Sequence, residues 1–570
     1  MRFWFVVIML FSSLILIAER GFSEICKSIE IEYTEGQARI AFTSLELSLI
    51  CEEKGGKDWK YIPRKQRQGF LEKFLSVRGY YAPVFRQTRD RLTVITGPQS
   101  RVDRIELHGD ILDLDPKSFW KVYDAVLNSG TLDAIEQWTK EQYAVAGYPC
   151  IQLDTKAYPE KNLVTIMILQ ANLKRFGQTN ETNSKSNGDK VKRRFDAYQE
   201  GEEFNSNRLR LTEARLKQEE YVFDTILSPK CKASEIVNIE QRTTVNKPRL
   251  LSLGIGFDSD EYLFFEGSWG HANLFSSASN IKSKIFASHK RQQLLTNFNW
   301  YYAPITTRHH LRTSLSFEHS NSRVYDVNNL SLSSGPVVDF DKFSHRFFLW
   351  VSPSLEQNRI FKGEGPNISN TFLLKSQFSI ESEKYELLRD DPSEGYSLSL
   401  KLSSSQKGMG ALYSSNKYEL TLKSFHNILN LNPAIWVLGL RAGLLGFDFD
   451  SDAKDKIPGN MYPRLGGAST IRGHALESLP KEGLAIAYFG GIETRIRHII
   501  PYGISPYLFI DVASARNAKD PSEKEKYTSP GLGLHWNSPI GVLRFYASYP
   551  LSQSGESHGL KLNFNLGDQF

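Results

Sequence analysis

"GLKLNFNLGDQF", residues 559–570, alternates with a period of two. Leu560, Leu562, Phe564 and Leu566 fall on one face, and Lys561, Asn563 and Asn565 on the other. Side chains of a β-strand point to opposite faces in turn, so this stretch reads as a strand with one apolar and one wet side. The pattern recurs upstream. "LSLGIGF" (251–257) sets Leu251, Leu253, Ile255 and Phe257 against Ser252, Gly254 and Gly256. "YSLSLKLSSS" (396–405) and "YELTLKS" (418–424) follow the same rule. Helical spacing is scarce from residue 246 to the C-terminus. Strand-length alternating segments repeated over residues 246–570 predict an antiparallel β-barrel with lipid outside and water inside. At roughly 20 residues per strand and connection, about 16 strands fit.

A soluble β-sandwich alternates too, and the N-terminus decides between the two. Arg2 precedes an apolar run from Phe3 to Ala18, followed by "ERGFSE". This reads as a secretory signal peptide, residues 1–23, cleaved after Ser23. An uncleaved anchor helix is the alternative, although the run is short against the roughly 20 residues of a span. No later stretch has the apolar length of a membrane helix, and only helices and closed barrels satisfy their backbone in lipid. The 570 residues carry a net charge of +6, with 24% charged side chains, too mild a balance to indicate nucleic acid. The mean hydropathy of −0.37 is what averaging a lipid face with a wet face produces.

Residues 24–245 follow a different grammar. In "IPRKQRQGFLEKFLSVRGYYAPVF" (62–85), Phe70, Leu71, Phe74, Leu75 and Val77 are expected on one helical face, and Gly79 stops the helix. An extended segment and the strand "RLTVITG" follow. "TLDAIEQWTKEQYAVAGYPCIQLD" then "NLVTIMIL" repeats that order, and "SNRLRLTEARLKQEEYVFDTILSP" gives a third copy without the Gly-Tyr pair. Gly79 and Gly147 are 68 residues apart, and Gly130 and Gly201 are 71 apart. A period near 70 predicts three tandem copies of one small α/β unit, at 24–98, 99–172 and 173–245, ahead of the barrel at 246–570. The fold class is therefore α+β followed by all-β.

Few motifs point to chemistry. "GESHG" (555–559) has the G-x-S-x-G form, but a nucleophile elbow needs a strand before it and a helix after it, and a strand follows. His309 and His310 are adjacent, so on a strand they point apart and make a poor metal pair. "KVKRRF" (190–195) follows the polar run "TNETNSKSNGD" and reads by default as a solvated loop, with contact to lipid head groups or a partner as the lesser reading. The four cysteines, Cys26, Cys51, Cys150 and Cys231, form no CxxC pair, which argues against structural zinc. Export permits disulfides. Cys26 with Cys51 is the best candidate pair, and free buried thiols are an equal alternative. No catalytic residue, metal site or cofactor is expected, and neither is enzymatic activity.

The C-terminal third carries a family signature. "RLGGASTIRGH" (464–474) resembles the Gly-Gly then Val/Ile-Arg-Gly-Tyr/Phe loop of the outer-membrane assembly and two-partner-secretion superfamily. "AYFGGIETRIRH" (487–498) is similar to that family's strand carrying a glutamate, and "YLFIDVASA" (507–515) to its aromatic-x-Asp-x-Gly strand. "SPGLGLHWNSPIGVLRFYASYPL" (529–551) is similar to its Gly-rich strand pair, and the chain ends in Phe570. The three repeats look like POTRA domains. Three of them resemble the TamA-type subunit of the translocation and assembly module rather than the five of the central assembly subunit. They also differ from the two, preceded by a plug helix, of two-partner transporters. This chain departs from the pattern at His474, where an aromatic is usual, at Ala513, where Gly is, and at Val542, where Pro is.

The resemblance implies an outer-membrane location in a Gram-negative cell with the N-terminal domains in the periplasm. It implies a loop folded into the barrel lumen. A lumenal arginine shielded from water needs anionic partners, so Arg472, beside Gly473, is expected to latch the loop onto Glu493 and Asp511. The barrel must close between the strand carrying Gly254 and Gly256 and the strand of Gly559, Leu562, Phe564 and Phe570. Glycines weaken the first of these, and a weak seam would offer an edge to an incoming strand. "SHGLKLNF" also looks like the family's β-signal. The function implied is insertion or translocation of β-barrel or autotransporter clients. The implied partners are nascent outer-membrane proteins, outer-membrane lipid and an inner-membrane-anchored TamB-like protein docked on the POTRA region. A secretion pore for one dedicated partner is the alternative.

Overall fold

The computed structural model describes residues 22–566, apart from 27–28, 33–38, 52–63, 89–90, 110–111, 182–188, 276, 303–306, 323, 364, 451–452, 454–455, 540 and 553–558. The chain divides into two compact units, Met1–Asn172 and Leu173–Phe570.

The first unit holds two α/β modules. The first has strands β1 (Phe22–Cys26), β2 (Ile29–Glu32), β3 (Val84–Gln87) and β4 (Leu92–Ile95), in the order β1-β2-β4-β3, with helices α1 (Ser44–Ile50) and α2 (Arg64–Val77). Helix α1 starts where Thr43 and Glu46 cap each other: the Glu46 amide donates to Thr43 Oγ1 at 3.2 Å and the Thr43 amide to Glu46 Oε2 at 2.7 Å. Reciprocal capping satisfies two donors that a helix start leaves open. Leu71 and Leu75 of α2 are fully buried against Ile29, Ile31 and Val94. Val77 does not share that face and is 53% exposed, because two residues past Leu75 is about 200° around the helix.

The second module has β5 (Arg104–His108), β6 (Gln152–Tyr158) and β7 (Leu163–Gln170) in the order β5-β7-β6, with helix α3 (Ser129–Val145). In the second unit, β8 (Arg175–Glu181), β9 (Val222–Lys230) and β10 (Ile236–Val245) order as β8-β10-β9 beside helix α4 (Ser206–Gln218). One topology serves all three: a strand, a helical segment, and a hairpin whose last strand runs parallel to the first, as β2/β4, β5/β7 and β8/β10 do. The third module keeps this topology without the Gly-Tyr pair.

The segment 190–195 is not a solvated loop. Lys192 is 4% exposed and ion-paired to Glu181, and Arg194 is 3% exposed. The Arg194 guanidinium lies 4.0 Å over the Tyr301 ring and donates to the Ser277 carbonyl at 3.0 Å. Val191 and Phe195 are buried beside them. The two apolar side chains pull the basic run into the junction with the barrel, where aromatic faces and carbonyls take the charge.

The predicted leader lies outside the described residues except for Phe22 and Ser23, which sit in β1. Cys51 caps α1 and is buried; Cys51, Cys150 and Cys231 are all disulfide-bonded, so the free-thiol reading fails for these three. The Cys26 side chain lies outside the described residues. Among the described residues no group of three or more His, Cys, Asp or Glu side chains could hold a metal.

The barrel begins with β11 (Arg249–Asp258), β12 (Tyr262–Leu274), β13 (Ser279–Ser288), β14 (Arg291–Trp300), β15 (His310–Asn321) and β16 (Asp326–Lys342). It continues through β17 (His345–Lys362), β18 (Ile368–Ser382), helix α5 (Glu383–Leu387), β19 (Gly395–Ser405), β20 (Ser415–Asn427) and β21 (Trp436–Phe449). It ends with β22 (Leu484–Ile496), β23 (Ile504–Asn517), β24 (Lys524–Ser538), β25 (Gly541–Ser548), β26 (Leu551–Ser552) and β27 (Lys561–Leu566). Every neighbour in this meander is antiparallel. Strands β25 and β26 both pair with β24, one on Gly531–Ser538 and the other on Tyr527 and Thr528. They are one strand broken at Tyr549-Pro550, which leaves a nearly closed barrel of 16 strands. Outward rows such as Leu508, Ile510 and Val512 are exposed and apolar, while alternate positions of the same strands turn inward. The third module sits at the end of the barrel that bears the β12–β13, β16–β17 and β18–β19 connections.

Candidate functional site: a lumenal loop and an incomplete seam

The connection from β21 to β22 carries the sequence 463–480 inward. Leu465 and Leu479 exchange backbone hydrogen bonds of 2.6 and 3.0 Å, and the Gly467 amide donates to the His474 carbonyl at 2.9 Å. The hairpin is pinned to the wall by an apolar cluster in which Ile471, Leu465 and Leu479 meet Phe489, Ala513 and Tyr527. Gly473 adopts φ +86°, and a Cβ there would stand 2.6 Å from Ser548 Oγ and 2.9 Å from Ser529 Oγ. A side chain at this position would meet both a strained backbone and the barrel wall.

Arg472 is 3% exposed. Its Nε and Nη2 donate to Asp511 Oδ2 and Oδ1 at 2.8 and 2.9 Å, its Nη1 donates to Glu493 Oε2, and its amide donates to Asp511 Oδ2 at 3.0 Å. One guanidinium thus forks onto one carboxylate and reaches a second, which the planar five-donor group allows and an ammonium does not. The guanidinium carbon also lies 3.6 Å from the Phe509 ring centre.

Strand register builds this seat. Arg441, Gly491, Asp511 and Ser529 lie opposite one another across β21 to β24, and Glu493 stands beside Phe509. A Cβ on Gly491 would be 2.3 Å from Asp511 Oδ1, and one on Gly531 would be 2.3 Å from the Phe509 ring. Two empty positions therefore make room for the carboxylate and the ring. Arg441 lies 3.3 Å from Asp511 Oδ1 and donates to the loop carbonyls of Ala468 and Thr470 at 2.6 and 3.0 Å. Arg495 stands 3.4 Å from Glu493 Oε1. The structure thus brings Arg472, Gly473, Glu493 and Asp511 together, and adds Arg441, Arg495 and Phe509, which the sequence reading did not select. Their inward parity along β21 to β23 was the available signal. His474 is buried, packs edge-on against Tyr527 at 5.6 Å, and has no hydrogen-bond partner for Nε2 among the described residues. It fills the place of an aromatic ring.

The two ends of the sheet meet weakly. Among the described residues no backbone ladder joins β11 to β27. The Ser259 amide and hydroxyl reach the Phe564 carbonyl at 3.0 and 3.3 Å, and Phe257 stacks on Phe564 at 6.3 Å. These contacts lie at the β11–β12 turn, away from the third module. Leu251, Leu253, Ile255 and Leu562 are between 68 and 77% exposed. A cavity of about 1160 Å³ opens beside this end of the wall, lined by Phe257, Tyr262, Leu532, Phe545, Leu562 and Phe564 among others. A Cβ on Gly254 or Gly559 would meet nothing within 4 Å, whereas one on Gly256 would fall 2.2 Å from the Phe264 ring that occupies its place. Phe570 and Ser557 lie outside the described residues.

Residues 239–570 match the family model of the Omp85 superfamily domain. The chain belongs to the Omp85 superfamily. This Omp85 chain is 21% identical over 506 residues to an outer membrane protein assembly factor, BamA, of Nitratidesulfovibrio vulgaris, an alignment covering 83% of this chain and 62% of that protein. It therefore spans less than two thirds of that relative's length. Its fold is similar to the crystal structure of Haemophilus ducreyi BamA lacking POTRA domains 1–3, with TM-score 0.50 and 15% identity, over 82% of this chain and 99% of that one. CdiB from Escherichia coli aligns with TM-score 0.48 and 13% identity, over 88% and 96%. As an Omp85 barrel, the protein resides in the outer membrane of a Gram-negative cell with its N-terminal modules in the periplasm.

Proposed function

We propose that this chain is an outer-membrane assembly and insertion factor of the TamA type, without enzymatic chemistry. On this reading it inserts or translocates β-barrel or autotransporter clients through the seam between β11 and β27. The observation that carries it is the seam itself. On the edge facing away from β12, the first strand has no ladder partner among the described residues, so it presents donors and acceptors to which an incoming strand can add. Three periplasmic modules, each a small sheet with open edges, are where a client segment or a TamB-like inner-membrane-anchored partner would dock. Arg472 latches the loop that lines the lumen, keeping the pore filled while the seam works, and outer-membrane lipid receives the product.

The test is a seam lock. Cysteines at Ser259 and Phe564, whose backbones hydrogen-bond, lie within disulfide reach. In liposomes, the oxidised variant is expected to lose insertion of an unfolded outer-membrane barrel client, while wild-type protein under the same oxidation keeps it. Full insertion with the seam locked refutes lateral release. Retained export of a soluble secreted partner through the locked protein would favour the secretion-pore reading instead.

A further inference from the structure

We propose that the periplasmic connection between β18 and β19, residues 382–395, couples the third α/β module to the lumenal loop, with Glu386 and Asp391 as its two contact points. On one side Arg215 of α4 donates to Glu386 Oε1 and Oε2 at 2.9 and 2.7 Å, with the two side chains 4% and 2% exposed. Arg215 also forks onto Asp341 at 2.8 and 2.9 Å, and Arg346 reaches Glu386 Oε1 at 3.0 Å. On the other side Arg495 donates to Asp391 Oδ1 at 3.0 Å and to the Pro392 carbonyl at 2.9 Å. Arg497 and Asn537 also hold Asp391. Arg495 in turn faces Glu493, which Arg472 binds. A run of charges therefore leads from α4 to the loop in the order Arg215, Glu386, Asp391, Arg495, Glu493, Arg472, with the chain of the connection itself bridging Glu386 to a half-buried Asp391.

The connection is built to move as one piece. Ser382 caps α5 and also accepts from the Tyr396 amide at 2.9 Å, tying both ends together. Gly395 sits at φ +96°, and a Cβ there would stand 2.5 Å from the Tyr385 amide nitrogen. Tyr385 stacks on Phe425 at 6.1 Å, and the Arg495 guanidinium lies 5.5 Å from that same ring. Packing and charge thus follow the same route. Displacing α4 strips Glu386 of the arginine that holds both its oxygens and, among the described residues, leaves it with Arg346 alone. A buried carboxylate that loses half its compensation favours a rearrangement. Docking at the third module would in this way be felt at Glu493.

The proposal rests on Arg472 holding the loop, and the experiment separates the two. Ala468, 7% exposed in the loop, is replaced by cysteine in the full-length chain in liposomes, and its labelling by a water-soluble maleimide is timed. Arg472→Gln is expected to raise the rate about tenfold by freeing the loop. Asp391→Asn and Glu386→Gln, each remote from Ala468, are expected to raise it about fivefold by removing one charged hydrogen-bond acceptor. Combined, they should do no more than either alone, because one break suffices. If Arg472→Gln labels like wild type, the latch itself is wrong. If Arg472→Gln accelerates labelling while Glu386→Gln does not, or if the two remote effects multiply, the latch stands and the coupling falls. Should Asp391→Asn fail to give a heat-modifiable barrel, Arg215→Lys, which lies outside the barrel wall, carries the same test: an unchanged rate overturns the coupling.

Discussion

Arg472 is held by four hydrogen bonds to two carboxylates, three of them from the guanidinium. Lysine cannot reproduce that fork. Arg472→Lys is therefore expected to keep only part of the latch, and Arg472→Glu none. Removing one partner of a buried pair costs about 3–5 kcal/mol, so Arg472→Glu should lower the urea midpoint of the barrel and weaken its heat-modifiability. An unchanged midpoint would show that water already solvates the site. Gly491→Ala checks the seat from below. Its methyl would collide with Asp511, so it should reproduce much of the Arg472→Glu loss in the same unfolding assay and add little on top of it. The three principal residues were legible because motif and charge agree on them. Arg441, Arg495 and Asp391 were not. Alternation reveals which face a side chain takes, but the register that sets Arg441 beside Asp511 is fixed by turns that the pattern does not specify.

Among the elements, the third module shows how a charge run misleads. Six residues of mostly basic sequence read as solvated, yet Val191 and Phe195 are apolar enough to draw the segment inside. Asp196 follows directly, and burial raises its carboxyl to about 7 although Arg193 and Arg215 pull it down. The folded module then binds the Asp196 proton more tightly than the unfolded chain, whose aspartates titrate near 4. Its contribution to stability thus falls as pH rises between about 4 and 7 and is flat beyond. Amides of β8 and α4 in the full-length protein should exchange more slowly at pH 5.5 than at pH 8 once intrinsic rates are corrected. Equal protection at both values would contradict the raised Asp196 carboxyl.

For the molecule as a whole, period two decided the barrel and period 70 the modules ahead of it. The first signal recurs along the whole barrel and the second in three copies, and repetition is why both were readable. The break at Tyr549-Pro550 was not, since two prolines on neighbouring strands, Pro530 and Pro550, look like ordinary edge residues until β24 is seen to pair on both sides of the gap. The outward row Leu508, Ile510 and Val512 gives a test of the membrane face. Ile510→Lys should cost about 2–4 kcal/mol near the bilayer centre, read as a lower urea midpoint in lipid, whereas a soluble sandwich would tolerate it.

The closure between Ser259 and Phe564 has an energetic meaning. A net hydrogen bond contributes about 0.5–1.5 kcal/mol, and a stacked aromatic pair about as much beyond its buried area. A joint of that strength, among the described residues, is broken by ordinary thermal motion in a minor fraction of molecules at any instant. On the proposed lateral release, such a barrel would need no fuel to part, and its traffic would be limited by the rate at which a suitable strand arrives while the gap is there.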